Sequence, residues 1–299
     1  MASLYHYTSG DSLLGILRSQ SFWATDIRFL NDYEELNRGL DIFESFAEGL
    51  VEDMKTDTEH LSQLVKIFVG NIRRNANLTL INLVSFSTEP DNLRQWMAYC
   101  NSGIGYSIEF DPDLLIPASL SDFKHCLRLS PVEYIDSDES FYRSNSLVKF
   151  KDFLVESLTG MDKSISEELL IEQVSLKANT LFINSMFLAS SIKPVEFSDE
   201  REIRLLYIGE NKESETNSHE MEGLRTLYNK PPLPDLGYKA TSDLLVPYQP
   251  IPFNIDAVKR IIIGPAANTK LAETGIAEFR DRNNLKFDIT HSACSLRRL

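Results

Sequence analysis

The apolar positions of this chain change period repeatedly, and each change marks an element. Leu13, Leu14, Ile16 and Leu17 follow Ser9 and Asp11, either of which can cap a short helix. The run FWATDIRF (22–29) then reads as a strand. Asn31 or Asp32 caps the next helix, whose buried face is Leu36, Leu40, Phe43, Ala47 and Leu50 at alternating spacings of four and three. A further amphipathic helix runs through Leu61, Leu64, Val65, Phe68 and Ile72.

The run LTLINLVSFST (78–88) is rich in β-branched and aromatic residues and stops before Pro90, which predicts a strand. DNLRQWMAY (91–99) returns to helix and closes at 101–103. GIGYSIEFD (103–111) is a strand broken by Pro112. From about 140 to 192 the chain is predicted helical, with Leu170, Val174, Ala178, Leu181, Ser185, Leu188 and Ile192 as one stripe. SDEREIRLLYIG (198–209) alternates charged and apolar residues as a strand does, and 210–236 is polar and proline-bearing, as expected of a mobile loop. SDLLVPYQPIPF (242–253) is extended, VKRIIIGPAANTKLAETGIAEF (258–279) runs strand, turn, helix, and KFDIT (286–290) is a last strand. No repeat or linker divides the chain. The expectation is one α+β domain over 1–299 with helical insertions at about 33–76 and 140–192.

Composition narrows the class. Of the 299 residues 42% are hydrophobic and 25% charged, too apolar for a disordered chain. No stretch resembles a signal peptide or approaches the ~20 apolar residues of a membrane span. Cys100, Cys126 and Cys294 lack CxxC spacing, which fits a reducing cytoplasm and argues against structural zinc. A net charge of −14 works against unspecific nucleic-acid affinity, although it leaves room for a local basic groove. The pairs Arg73–Arg74 and Arg297–Arg298 read as solvated surface.

Three stretches could carry chemistry. In YHYT, His6 has two directional nitrogens, and Thr8 lies on the same face of an extended segment that feeds a helix N-terminus, a setting that favours phosphate. Taken alone, His6 reads rather as a partly buried histidine bonded to backbone, and it is the context that points to a ligand. In SFSTEPDNLRQWMAYC (85–100) a hydroxyl-bearing strand enters a helix with Trp96 and Tyr99 three apart, so on one side. Trp96 also reads as core, whereas Tyr99 stands beside the turn where a ring can line a cleft. In DEREIR, Glu200, Glu202 and Arg204 share one strand face. That face is either solvated mixed charge or a cleft built around an anion.

Together, and in this order, the three stretches resemble the ADP-ribosyltransferase fold. The branch that includes the poly-ADP-ribose polymerases has a His-x-Thr triplet on its first strand, a Ser…Tyr strand–helix element, and a late strand that starts with glutamate. YHYT, SFSTEPDNLRQWMAYC and EREIRLLY are similar to these, and Glu200-x-Glu202 is similar to the paired glutamates of bacterial ADP-ribosylating toxins. Tyr7 stands where the polymerases place glycine. Nearly the whole chain also resembles an uncharacterised bacterial family with the run YHYTS…LND…SFS…W..Y…E.E.R…IIIGP, through Ile261–Pro265.

The resemblance implies a split, mixed or antiparallel β-sheet core and an NAD-dependent ADP-ribosyltransferase, with NAD as substrate and no metal. It implies that His6, supported by Thr8, holds the adenosine ribose, and that Tyr7, Ser87, Trp96 and Arg204 belong to the NAD site. Tyr99 would stack on nicotinamide, Glu202 would be the catalytic anion, and Glu200 would orient the acceptor. It further implies a cytoplasmic toxin or phage-defence effector that modifies a nucleic acid or a protein and travels with an antitoxin or regulatory protein. A non-catalytic NAD or ADP-ribose sensor on the same scaffold, or an interaction module, are the alternatives.

Overall fold

The computed structural model describes residues 2–30, 35–53, 79–136, 183–210, 232–241 and 243–296. The chain opens with β1 (Leu4–Thr8), α1 (Gly10–Ser19) and β2 (Ser21–Asp26). Ser9 caps α1 by accepting from the Ser12 amide, and Gln20, left-handed at φ 48°, reverses the chain into β2. There follow α2 (Glu35–Asp53), β3 (Thr79–Ser87), α3 (Leu93–Tyr99), β4 (Tyr106–Phe110) and the single turn α4 (Pro112–Leu115). Then come β5 (Leu127–Pro131), β6 (Glu133–Ile135), helical residues 183–189 (α5), β7 (Ile192–Pro194) and β8 (Glu202–Glu210). The chain continues through β9 (Gly237–Ala240), β10 (Leu245–Pro252), β11 (Val258–Ile263), α6 (Thr269–Arg282) and β12 (Asp288–His291).

The fold class is α+β. Ten strands form one mixed sheet in the order β12-β11-β4-β1-β3-β2-β10-β9, with β8 also on β3 and β5 on β8. Every pairing in that sheet is antiparallel except β11 with β12. A strand has two hydrogen-bonding edges. Along β3, β8 takes one edge for its whole length, from Thr79↔Glu210 to Ser87↔Glu202. So β1 and β2 must share the other: β2 pairs at Asn82 and Leu83, and β1 only at Ser87. Between those contacts the sheet splits at Val84–Phe86.

One sheet face buries interlocked rings: Phe22 lies 5.3 Å from Phe86 and 5.1 Å from Phe110, and Phe253 packs 4.6 Å from Phe22. Leu13, Ile16 and Leu17 of α1 and Ile276 of α6 close over this cluster. On the other face Tyr5, Tyr7, Trp96, Cys100 and Ile262 form a smaller core under α3. Gly105 sits between these layers. Its carbonyl accepts from the Gly264 amide at 2.9 Å, and a Cβ there would strike the Thr8 carbonyl and Cys100. Gly105→Ala is expected to cost about 1–3 kcal/mol through overpacking, read as a lower urea midpoint at unchanged m-value.

Several boundaries differ from the sequence expectation, each for a local reason. The strand expected over 22–29 ends at Asp26, whose carboxylate accepts from the Arg28 amide at 2.9 Å and turns 27–29 into a 3-10 helix. The strand expected from 198 starts only at Glu202, because Val195–Glu200 is a 3-10 helix ended by Arg201 at φ 44°. The helix expected to reach Ile192 stops at 189, where the Ser191 hydroxyl takes the Phe187 carbonyl, and Ile192 opens β7 instead. The 61–72 helix, residues 170–181 of the central stripe and most of the 210–236 loop lie outside the described residues. Among the described residues no helix is long and apolar enough to cross a membrane.

Candidate functional site

The split creates the site. Ser85 is exposed in the middle of a strand whose neighbours are buried, because no strand covers that edge. The carbonyl that would have joined a ladder is met by a side chain: the Ser85 oxygen lies 2.9 Å from His6 Nδ1. A carbonyl can only accept, so Nδ1 carries the proton and Nε2 is left as an acceptor. Phe86 and Phe22 hold the ring at centroid distances of 5.8 and 6.3 Å. Half-buried but packed deep in protein, His6 has its pKa lowered, mainly by burial and slightly by Lys239, with the Ser85 bond opposing. The imidazole is therefore neutral near pH 7.

The sign of this shift fixes a pH effect. Above about 6.5, the unperturbed value, folded and unfolded His6 are both neutral. Below it the unfolded chain takes up a proton that the folded chain resists, so stability falls as pH drops from 6.5 toward the depressed folded value. Wild type is expected to have a lower urea midpoint at pH 5.5 than at 7.5, and His6→Asn, which keeps an amide donor for Ser85, a smaller difference between the two. Equal pH dependence in both proteins would remove His6 as the cause.

Two carboxylates meet beside this ring. Arg201, left-handed between them, joins the 3-10 helix to β8 and aims Glu200 and Glu202 at the same place. Lys193 of β7 bridges them, its Nζ 2.6 Å from Glu200 Oε2 and 3.2 Å from Glu202 Oε2. Glu202 also receives Ser85 Oγ and Arg204 Nε on Oε1, at 2.6 and 2.8 Å, and Arg204 Nη2 on Oε2 at 3.0 Å. Its backbone amide donates to the Tyr134 hydroxyl. Burial would raise the Glu202 pKa, but Arg204, Lys193 and Ser85 outweigh it and hold it at about 2. Glu200 accepts from Tyr99 Oη at 3.1 Å, and burial together with Glu200's charge pushes the Tyr99 phenol well above its usual range.

These groups line one cleft of about 180 Å³ that runs along the split. His6, Tyr7, Ser85, Ser87, Tyr99, Glu200 and Glu202 all border it. Ser87 is turned to structural work, donating to the Glu200 carbonyl and accepting from the Glu89 amide. Tyr7 also packs outward: its ring meets Trp96 edge-on at 4.9 Å, and its hydroxyl bridges the Glu89 carbonyl and the Asn92 amide.

Three residues expected at the site stand elsewhere. Trp96 and Tyr99 do not share a side. Tyr99 faces the cleft with Gln95, four residues back, while Trp96 is fully buried and donates to Asp91. Thr8 is buried in the sheet opposite Tyr106 and does not border the cleft. Arg204, 1% exposed, lies beneath Glu202 rather than in the opening and also donates to the Ser190 carbonyl.

Sequence reasoning missed Lys193, Tyr134, Ser85, Gln95 and Lys239. Lys193 had a signal, a single lysine after the small and apolar run FLASSI. Gln95 had the i, i+4 spacing to Tyr99. Among the described residues no group of three His, Cys, Asp or Glu is placed to hold a metal ion. Compared with family models, curated proteins and solved structures, the chain matches none.

Proposed function

We propose that this chain is an NAD-dependent ADP-ribosyltransferase that works in the cleft along the split sheet. One observation carries the proposal: His6, Tyr99 and the Glu200–Glu202 pair, from three separate stretches of sequence, border a single opening. The resemblance of the same three stretches to the ADP-ribosyltransferase fold supports it. The cleft is smaller than the roughly 300–1,000 Å³ of pockets that bury drug-sized ligands, so it takes NAD only in part and the adenosine end extends outward.

The chemistry follows from the charges. The nicotinamide ring is a cation, which the face of Tyr99 attracts beyond simple burial. When the bond from ribose C1′ to the ring nitrogen breaks, its electron pair neutralises the pyridinium and positive charge develops on the ribose, as in glycoside hydrolysis. A fixed carboxylate beside the ribose stabilises that charge. The acceptor's lone pair then bonds to C1′, and the proton it gives up passes to carboxylate or water.

Hydrogen-bond capacity distinguishes the two acids. A carboxylate has about four acceptor sites. Four donors already fill those of Glu202, whereas Glu200 receives only Tyr99 and Lys193 among the described residues. Glu200 is thus the acid with room for a ribose hydroxyl, and Glu202 the one that fixes Lys193 and Ser85 around it.

A second reading has its own support. Two acids against Lys193 and Arg204 make a charge-neutral cluster, which suits a binding module that senses NAD or ADP-ribose without cleaving it. Nicotinamide release from NAD by the full chain separates the two. Release supports the transferase, thermal stabilisation by NAD without release supports the sensor, and neither result leaves both readings without a basis.

A further inference from the structure

We propose that the end of the cleft opposite the glutamates is a diphosphate subsite, with Lys239 as the residue that binds the anion; this rests on the NAD reading above. The cleft is polarised. Glu200, Glu202 and Tyr99 border one end, and Lys239, Thr25 and Ser12 border it across the split. Lys239 belongs to β9, opposite Val246 of β10, and its side chain passes over β10 to reach Thr25 of β2, with Nζ 3.0 Å from Oγ1. A neutral hydroxyl is the partner it shows, and no carboxylate bonds to it among the described residues. In a chain with net charge −14, a half-buried lysine without an acid beside a cleft is an uncompensated charge. Burial lowers its pKa, and an anion within reach would oppose that shift by stabilising the ammonium.

The other groups at this end set the ligand's chemistry. Trp23 borders the cleft, but it is stacked on Tyr248 at 5.1 Å and packs against Gly15 on α1, so it forms a wall and leaves no free face for a base. His6 Nε2 offers an acceptor for a hydroxyl in between. A ligand with a cationic ring, a ribose and a diphosphate in that order meets the acids, the imidazole and the lysine in turn. That order gives His6 the nicotinamide ribose rather than the adenosine ribose that the resemblance implies. The opening presents carboxylates at one end and the ammonium at the other, which favours one orientation although Lys193 and Arg204 behind the acids balance their charge.

The test uses the full chain and four probes: inorganic pyrophosphate, ADP, ADP-ribose and nicotinamide riboside, which carries the ring and ribose without phosphate. Thermal shift and calorimetry are read for wild type, Lys239→Met and Thr25→Val. Lys239→Met is expected to weaken ADP and ADP-ribose about ten- to a hundredfold, the worth of a charge-assisted contact, and to leave nicotinamide riboside unchanged. Thr25→Val, which keeps the lysine charge but removes the hydroxyl that positions it, is expected to weaken the phosphates less than Lys239→Met does. The subsite is overturned if Lys239→Met binds ADP-ribose as wild type does, if it loses the riboside equally, or if wild type binds none of the phosphates. Lys239-dependent binding of ADP without nicotinamide release would sustain the subsite while the transferase reading fell.

Discussion

Arg204→Met lowers the free energy of unfolding by about 3–5 kcal/mol, the cost of leaving one member of a buried ion pair alone. The guanidinium is 1% exposed, grips both oxygens of Glu202, and satisfies the Ser190 carbonyl as well. Methionine fills much of its volume and supplies none of its donors. Glu202 would then keep only Lys193 and Ser85, and Lys193 is already shared with Glu200. Urea denaturation at pH 7 measures the loss, and a cost under 1 kcal/mol would mean that Arg204 does not hold the acid.

Acid titration of the same pair of proteins checks the cause. In wild type the Arg204 and Lys193 cations hold Glu202 at about 2, below the usual 4.5, so its contribution is present above 4.5 and is lost as pH falls toward 2. Without Arg204 the folded pKa rises, and acidification below 4.5 then costs the variant less than it costs wild type. Glu202→Met combined with Arg204→Met is expected to regain part of the lost stability, since no unpaired charge remains on either side.

The second large effect falls on turnover. Glu200→Gln is expected to reduce nicotinamide release about 100- to 1,000-fold, the usual worth of one preorganised electrostatic contact. With its oxygen on Lys193 the amide can donate its NH2 to the Tyr99 hydroxyl, and Lys193 keeps Glu202 as its counter-ion, so the loss of stability should be smaller than for Glu202→Gln. Glu202→Gln differs in kind, because its new NH2 group faces Lys193 and Arg204, donors with nothing to give to another donor. It should lose stability and activity together. Release and urea midpoint measured on both variants separate the roles: Glu200→Gln with wild-type turnover would remove Glu200 as the anion.

Much of the frame was legible because long periodic runs leave little choice. The strand at 78–88, the helix at 91–99 and the strand–turn–helix from Val258 follow from apolar spacing and breakers alone. The small strands β5, β6, β7 and β9 were not legible, since three to five half-buried residues carry no period. Their absence from the reading hid Lys193, Tyr134 and Lys239. The Trp96–Tyr99 spacing misled for a related reason. Positions three and four apart both count as neighbours on a helix, and only the tertiary fold decides that Gln95 and Tyr99 form the pair facing the cleft. Likewise, alternation placed Arg204 on the acids' face but could not reveal that the Ser190 carbonyl meets the guanidinium there and that it is buried.

The nine-rung ladder between β3 and β8 sets how freely this cleft could be redesigned. Ser85 and Glu202 owe their positions to backbone pairing on a central strand, so exchanging either disturbs a surface that ten strands have already agreed upon. Lys239 stands half-buried on the four-residue marginal strand β9, where a new side chain perturbs few neighbours, whereas Gln95 is buried on α3 and is as constrained as the floor. Side chains can therefore drift at the β9 margin while the floor of the cleft stays put, and a search for altered binding should begin its library at Lys239.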